Sequence, residues 1–281
     1  MMNGKLKSKI GYLLTHVFLI AVSIATIIPI WWVLLTAFDK RVSLVSTEFM
    51  VLPQNPTADN FLVVLSHPNF AMWLKNSFIF ASGTTIFTLI LATLSAYAYS
   101  RFDFPGKKAG LASYVIYMML PTTAALVPQL LIIKFLGIKN SYFSLIMIWS
   151  AANMAFAIWN LKGYFDTISK SIEEAAIIDG ASRFQVFTKI MLPLAKPAIA
   201  ITAIFIFTAP WTDYVTSYLF LTDATKYTLA QGLYGWAADF KTVSWGVFCA
   251  GSIIMALPLT IIYLVFQRYI ISGLTVGGVK G

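Results

Sequence analysis

Apolar residues in this chain fall into long runs from which charge is missing. No Lys, Arg, Asp or Glu occurs between Lys9 and Asp39, Lys75 and Arg101, Lys108 and Lys134, Lys139 and Lys162, or Lys241 and Arg268. A sixth apolar stretch, Pro197 to Thr222, is interrupted only by Asp213. About 20 apolar residues carry a helix across the hydrocarbon core of a bilayer, so each run is long enough. Backbone amides find no water there, which leaves helices or closed barrels, and barrel strands would alternate in polarity. The pattern predicts an all-α integral membrane fold with six spans, near 11–37, 76–99, 110–133, 141–161, 197–221 and 245–267. These make one domain over 11–268, between a polar terminus at 1–10 and a tail at 269–281. The first run outlasts the h-region of a cleaved signal, about 7–15 residues, and is read as a span.

Five prolines fall inside these spans: Pro29, Pro121, Pro128, Pro210 and Pro258. Neighbouring helices can re-satisfy the carbonyls they free, or the kinks can shape a pathway that opens and closes. Two prolines in one span, Pro121 and Pro128, predict a bent helix.

One polar segment, from Gly163 to Lys196, is too long for a plain connection. Ser171-Ile172-Glu173-Glu174 and Ser182-Arg183-Phe184-Gln185 each fit a capping box, in which the serine and the residue three on satisfy each other's free amides. Gly180 lies between them, where the chain needs a left-handed or tight turn. The second helix is expected to put Phe184, Phe187, Ile190 and Met191 on one side, with Pro193 and Pro197 ending it. Such a pair either lies on the membrane surface or, given the small Ala175 and Ala176, docks against a partner.

Composition agrees with the pattern. Of 281 residues, 59% are hydrophobic and 11% charged, with a mean hydropathy of +0.78. That excludes soluble, disordered, coiled-coil and collagen-like classes. The single cysteine, Cys249, excludes a disulfide scaffold. With the N-terminus inside, six spans return the C-terminus to the same side. Thirteen of the 20 basic residues then face the cytoplasm, as the positive-inside rule requires. The net charge of +9 is thereby explained without nucleic acid.

Little classical chemistry is present. His16 and His67 are isolated, so no metal site is expected. No phosphate-binding loop occurs, so any ATP and magnesium would be bound by another chain. Asp213 is the one acid deep in an apolar run, about 25 Å along its helix from Lys196. An intramembrane acid is a functional candidate by default, here an interfacial group or, with Trp211, a gate or pathway contact. The aromatics, 15% of the chain, suit sugar stacking, but membrane belts use the same residues.

Glu174-Ala175-Ala176, three residues, Gly180, nine residues, then Ile190-Met191-Leu192-Pro193 resembles the EAA loop of bacterial ATP-binding-cassette importer permeases of the MetI-like type. The likeness narrows to carbohydrate importers, and among them to the smaller permease of maltose/maltodextrin systems. It is carried by Leu52 to Thr57, Tyr97 to Gly106, Tyr164 to Ile168, Tyr227 to Ala230, Ala256 to Thr260 and Gln267 to Gly281. Two departures stand out: Trp211-Thr212-Asp213 replaces a Trp-Asn-Glu type signature, and the outer loop 223–244 diverges after Ala230.

The resemblance implies that 164–195 forms coupling helices that fit an ATPase subunit, with Glu174, Ala175, Ala176, Asp179, Gly180 and Pro193 carrying the motif. It implies that the tail, with Gly277, Gly278 and Lys280, reaches the ATPase interface. The expected partners are a second homologous permease, two ATPases, an external sugar-binding protein and membrane lipid. The chain itself would be a non-catalytic subunit in the cytoplasmic membrane that works by alternating access. The competing expectation is an ion-coupled secondary transporter that uses Asp213 as carrier.

Overall fold

The computed structural model describes residues 2–40, 51–237 and 245–278. Among these, every regular element is helical, and one isolated antiparallel bridge joins Asp39 to Pro56. Four helical stretches are long and apolar enough to cross a bilayer: Gly11–Ala37, Phe70–Arg101, Tyr142–Thr167 and Trp245–Gln267. Two sharply bent pairs, Lys107–Met119 with Thr122–Phe135 and Arg183–Leu194 with Lys196–Thr212, raise the number to six if each is one span.

The chain divides into two compact units. The first takes in Met1–Pro68 and Leu233–Ala256. Its helix α1 (Met2–Ala37) is exposed within the chain from Gly11 to Trp31, as a helix immersed in apolar surroundings should be. At its end Phe38 packs on Phe61 of α2 (Asp59–Leu65), with ring centroids 4.8 Å apart. The Asn60 amide donates to the carbonyls of Ala37 and Asp39, both at 2.9 Å, and so pins α2 to the exit of α1. A Cβ on Gly246 would meet that amide at 2.5 Å, which is why the chain passes there as glycine.

The second unit takes in Asn69–Gly232 and Leu257–Gly281. It is built on α3 (Phe70–Arg101), α4 (Lys107–Met119), α5 (Leu126–Phe135) and α6 (Tyr142–Thr167). There follow α7 (Lys170–Ile178), α8 (Arg183–Leu194), α9 (Lys196–Thr212) and α10 (Val215–Phe220). Two further helices, α11 (Leu229–Ala237) and α12 (Trp245–Gly278), pass from one unit to the other. The core has two centres. Phe80, Leu145, Ile148, Trp149 and Phe220 pack at one end of α3 and α6; Ala92, Ala96, Ile158, Leu161 and Phe165 pack towards the other.

Several expected boundaries move. The span near 110–133, expected to bend, does so at a break of 98°. Proline disfavours the helical conformation of the residue before it, so Leu120 is extended (ψ 137°) and α4 stops at Met119. Pro128 falls in the first turn of α5, where its missing N–H costs nothing. The span near 197–221 also breaks, after Thr212. The connection expected at 164–195 begins later, because α6 continues to Thr167. The expected tail at 269–281 is helical backbone of α12 through Gly278.

Candidate functional site: a docking hairpin and a cavity at two helix breaks

The α7–α8 hairpin is built from local rules. Ser169 caps α7 by accepting from the Ser171 N–H, so the cap lies two residues before the expected Ser171. Helix α7 ends in paired bonds from Ala181 N–H to the Ala176 carbonyl (2.9 Å) and from Gly180 N–H to the Ile177 carbonyl (3.0 Å). This is the Schellman closure, and it requires a left-handed residue at Gly180, whose φ is +89°. Ala176 and Ala181 pack on the core beneath that turn. Ser182 then opens α8 with a full capping box: its hydroxyl accepts from the Gln185 N–H, and the Gln185 side-chain oxygen accepts from the Ser182 N–H.

Pro193 does not end α8. The helix absorbs it, with a π turn over Phe187–Met191 where the proline removes a backbone bond, and continues to Leu194. The sharp bend of 73° comes at Ala195, and Pro197 falls in the first turn of α9. The buried face of α8 is Val186, Phe187 and Met191. Phe184, expected on that face, is 73% exposed.

Beneath the hairpin lies a buried polar network. Glu173 of α7 is 8% exposed and forms an ion pair with Arg101 at the end of α3. Its second carboxylate oxygen accepts from the Tyr97 hydroxyl at 2.8 Å. Arg101 also donates to the Ile168 carbonyl (2.8 Å) and the Ser100 hydroxyl (3.0 Å), while Ser100 donates to Asp166 at 2.6 Å. Tyr97 sits among Phe102, Phe165 and Phe187, and Arg183 lies over the Phe102 ring at 5.3 Å. The hairpin is thus tied to α3 and α6 by charge as well as by packing.

The residues singled out from sequence are distributed unevenly around this network. Glu174, Ala175, Asp179 and Gly180 are exposed, together with Ile177 and Ile178 (86%). The buried carboxylate is Glu173, and sequence reasoning passed over it, Tyr97 and Arg101. Glu173 shares a helix face with Ala176, three residues on, but only the structure shows that this face turns inward. Gly277 and Gly278 are in α12, and Lys280 lies outside the described residues. The outer loop 223–244 is described as far as Ala237.

Asp213 occupies a joint. It is the extended C-cap of α9 (ψ 108°), and its carboxylate accepts from the Trp149 indole N–H at 2.7 Å and the Thr216 N–H at 2.9 Å. One side chain therefore ends α9, starts α10 and anchors both to α6. Next to it is a cavity of about 380 Å³. Thr122, Thr123 and Gln129 line it from the α4–α5 break, Trp149 and Asn153 from α6, and Asp213 and Thr216 from the α9–α10 break. The buried side-chain oxygen of Gln129 has no hydrogen-bond partner among the described residues. Trp211 is elsewhere, fully buried against Phe78 (4.7 Å) and Phe207 (5.5 Å).

Interrupted helices around a polar cavity are how transport proteins expose backbone and side-chain polar groups to a solute within the bilayer. With its apolar spans, this makes the chain a multi-pass helical component of a membrane transport system. It belongs to the family of binding-protein-dependent transport system inner membrane components, whose model matches residues 2–276. The chain is similar to a maltodextrin transport system permease protein of Bacillus subtilis, 32% identical over 280 residues and covering 100% of both chains. It is equally similar to a galactooligosaccharides transport system permease protein of the same organism, 32% identical over 99% of this chain and 98% of the relative. In fold it resembles a chain of a bacterial ABC transporter that imports the acidic polysaccharide alginate. There the TM-score is 0.78 at 24% identity, covering 93% of this chain and 96% of that one.

Proposed function

We propose that this chain is one of two pore-forming permease subunits of an ATP-driven importer of neutral oligosaccharides, of maltodextrin type. Its partners are a homologous permease, two ATPases that bind ATP and magnesium, and an external sugar-binding protein. Both chain termini face the cytoplasm. The chain performs no catalysis of its own; it converts ATPase closure into a change of access across the membrane.

One observation carries this reading. The α7–α8 hairpin exposes Ile177, Ile178 and Phe184 around a stiff Gly180 turn, while Glu173 on its inner side is locked to Arg101 and Tyr97. Exposed apolar groups on a rigid, internally tethered element make a lever: a partner gripping the outside moves α3 and α6 with it. The cavity beside Asp213 is the chain's own stretch of the pathway, where Gln129, Asn153 and Thr123 offer hydrogen bonds to sugar hydroxyls. The chain's similarity to maltodextrin and galactooligosaccharide permeases supports the oligosaccharide class. The ion-carrier alternative finds no such support, since both oxygens of Asp213 are engaged by the protein.

The test is purification of the assembled complex after co-expression with its partners. A cysteine at Ala175 should crosslink to an ATPase, and ATP hydrolysis should rise when the binding protein carries maltotriose or a longer glucan. Absence of any ATPase, or transport that continues without ATP, overturns the proposal.

A further inference from the structure

Helices α4 and α6 leave between them a groove of about 290 Å³ that the coupling hairpin and the Asp213 cavity do not share. Two facing stripes line it: Leu111, Ala112 and Val115 on α4, and Trp159, Lys162, Gly163 and Asp166 on α6. Each stripe follows the three- and four-residue spacing of a single helix face. Lys108 continues the α4 stripe by one turn, three residues before Leu111, and is exposed with no ion pair among the described residues.

The polar groups sit at one end and are mostly donors. Lys162 gives one bond to Asp166 at 2.6 Å and keeps two N–H groups. The half-exposed Trp159, one turn deeper, has an indole N–H that no protein acceptor takes among the described residues. Asp166 is already occupied by Lys162 and Ser100. Lys107 is turned away, to the Phe102 carbonyl and Asp103. Lys108, Lys162 and Asp166 leave one unit of positive charge at the mouth. Below it the walls are hydrocarbon and indole, and a Cβ on Gly163 would meet nothing within 4 Å, so the slot is open.

A single negative charge above an apolar tail fits this arrangement. We propose that the groove holds one anionic phospholipid of the cytoplasmic leaflet, with its phosphate at Lys108 and Lys162 and an acyl chain along Leu111, Val115 and Trp159. Basic pockets between membrane helices bind such headgroups, and tryptophan favours the level just beneath them. The inference rests on the orientation proposed above, which puts the start of α4 and the end of α6 on the cytoplasmic side.

The experiment uses the assembled transporter in mild detergent, incubated with phosphatidylglycerol or phosphatidylcholine, with native mass spectrometry counting the lipids retained. One phosphatidylglycerol should be held in preference. Retention should fall about fivefold in Lys108→Gln, the loss of one lysine–headgroup attraction. It should disappear in Gly163→Leu, whose Cβ meets nothing within 4 Å and whose isobutyl group would take up the slot. Equal retention by either variant, or of the zwitterionic lipid, overturns the proposal. So does efficient crosslinking of a cysteine at Ala112 to the second permease, which would make the groove a subunit interface. Orientation is read separately: Lys108→Cys in a Cys249→Ser background should react with an impermeant maleimide only in inside-out vesicles. Labelling from the outer side would overturn the orientation, while lipid retention would still report on the groove.

Discussion

The Tyr97 hydroxyl donates a 2.8 Å hydrogen bond to the Glu173 carboxylate, across 76 residues of sequence. Tyr97 belongs to the membrane helix α3 and Glu173 to the α7–α8 hairpin, so this bond, with the Arg101 pair beside it, is where the two elements meet. A motion imposed on one must be carried by the other or break the contact.

Removing either half of the Arg101–Glu173 pair leaves a buried charge unmatched, which costs about 3–5 kcal/mol. Arg101→Ala and Glu173→Ala should each lower the melting temperature of the purified complex and its sugar-stimulated ATP hydrolysis. The double variant Arg101→Met, Glu173→Leu should recover much of the stability but not the stimulation. Thermal melts and ATPase assays on all three decide it; full stimulation in the double variant would show that packing alone carries the coupling.

At Gly180 the obstacle is backbone, not space. A side chain there would meet nothing within 4 Å, but φ is +89°. Gly180→Asn, tolerant of the left-handed region, should keep ATPase crosslinking from a cysteine at Ala175. Gly180→Val should abolish most of it, at a strain of about 1–2 kcal/mol or more. Equal crosslinking in both would mean that the turn geometry is irrelevant to docking.

Asp213→Asn keeps an acceptor for one of the two donors, Trp149 or Thr216, and sets its amide NH2 against the other, so the melting temperature should drop modestly while ATP-driven uptake persists. Asp213→Ala strands the Trp149 indole N–H and loosens the α9–α10 joint, costing about 1–3 kcal/mol. Reduced yield and a lower melting temperature should follow. If Asp213→Asn abolished transport while folding normally, the carboxylate would have a direct transport role.

Ser182→Ala removes one arm of the capping box that opens α8, and about 1 kcal/mol of helix stability with it. Hydrogen exchange at the amides of Phe184 and Gln185 should quicken, with little change in the membrane helices.

The Thr225 hydroxyl and N–H bond the Asp223 carboxylate, and Lys226 lies 3.6 Å away, so its pKa is held below the ordinary range. A depressed carboxylate pKa stabilises the folded turn above the unfolded value. That contribution fades as pH falls below about 4, through the folded value. Exchange at the Thr225 amide should therefore accelerate in acid, and Asp223→Asn should remove the pH dependence.

Local physics made much of this protein legible. Charge-free runs marked the membrane helices because a bilayer admits no unpaired backbone and few charges. The Gly180 turn and the Ser182 box were readable because each is a contract between residues three to five apart. Pro121 and Pro128 announced a bend, because proline restricts the residue just before it, although not the angle of 98°. The tertiary structure alone decided which neighbouring acid turns inward, Glu173 rather than Glu174, because its partners Tyr97 and Arg101 come from another helix. It also decided that Asp213 is a joint rather than a lone charge in a helix, since Trp149, 64 residues away, supplies the donor. Helix and cap propensities are local free energies. The fate of a buried charge depends on which helices pack together, and no single stretch of chain contains that information.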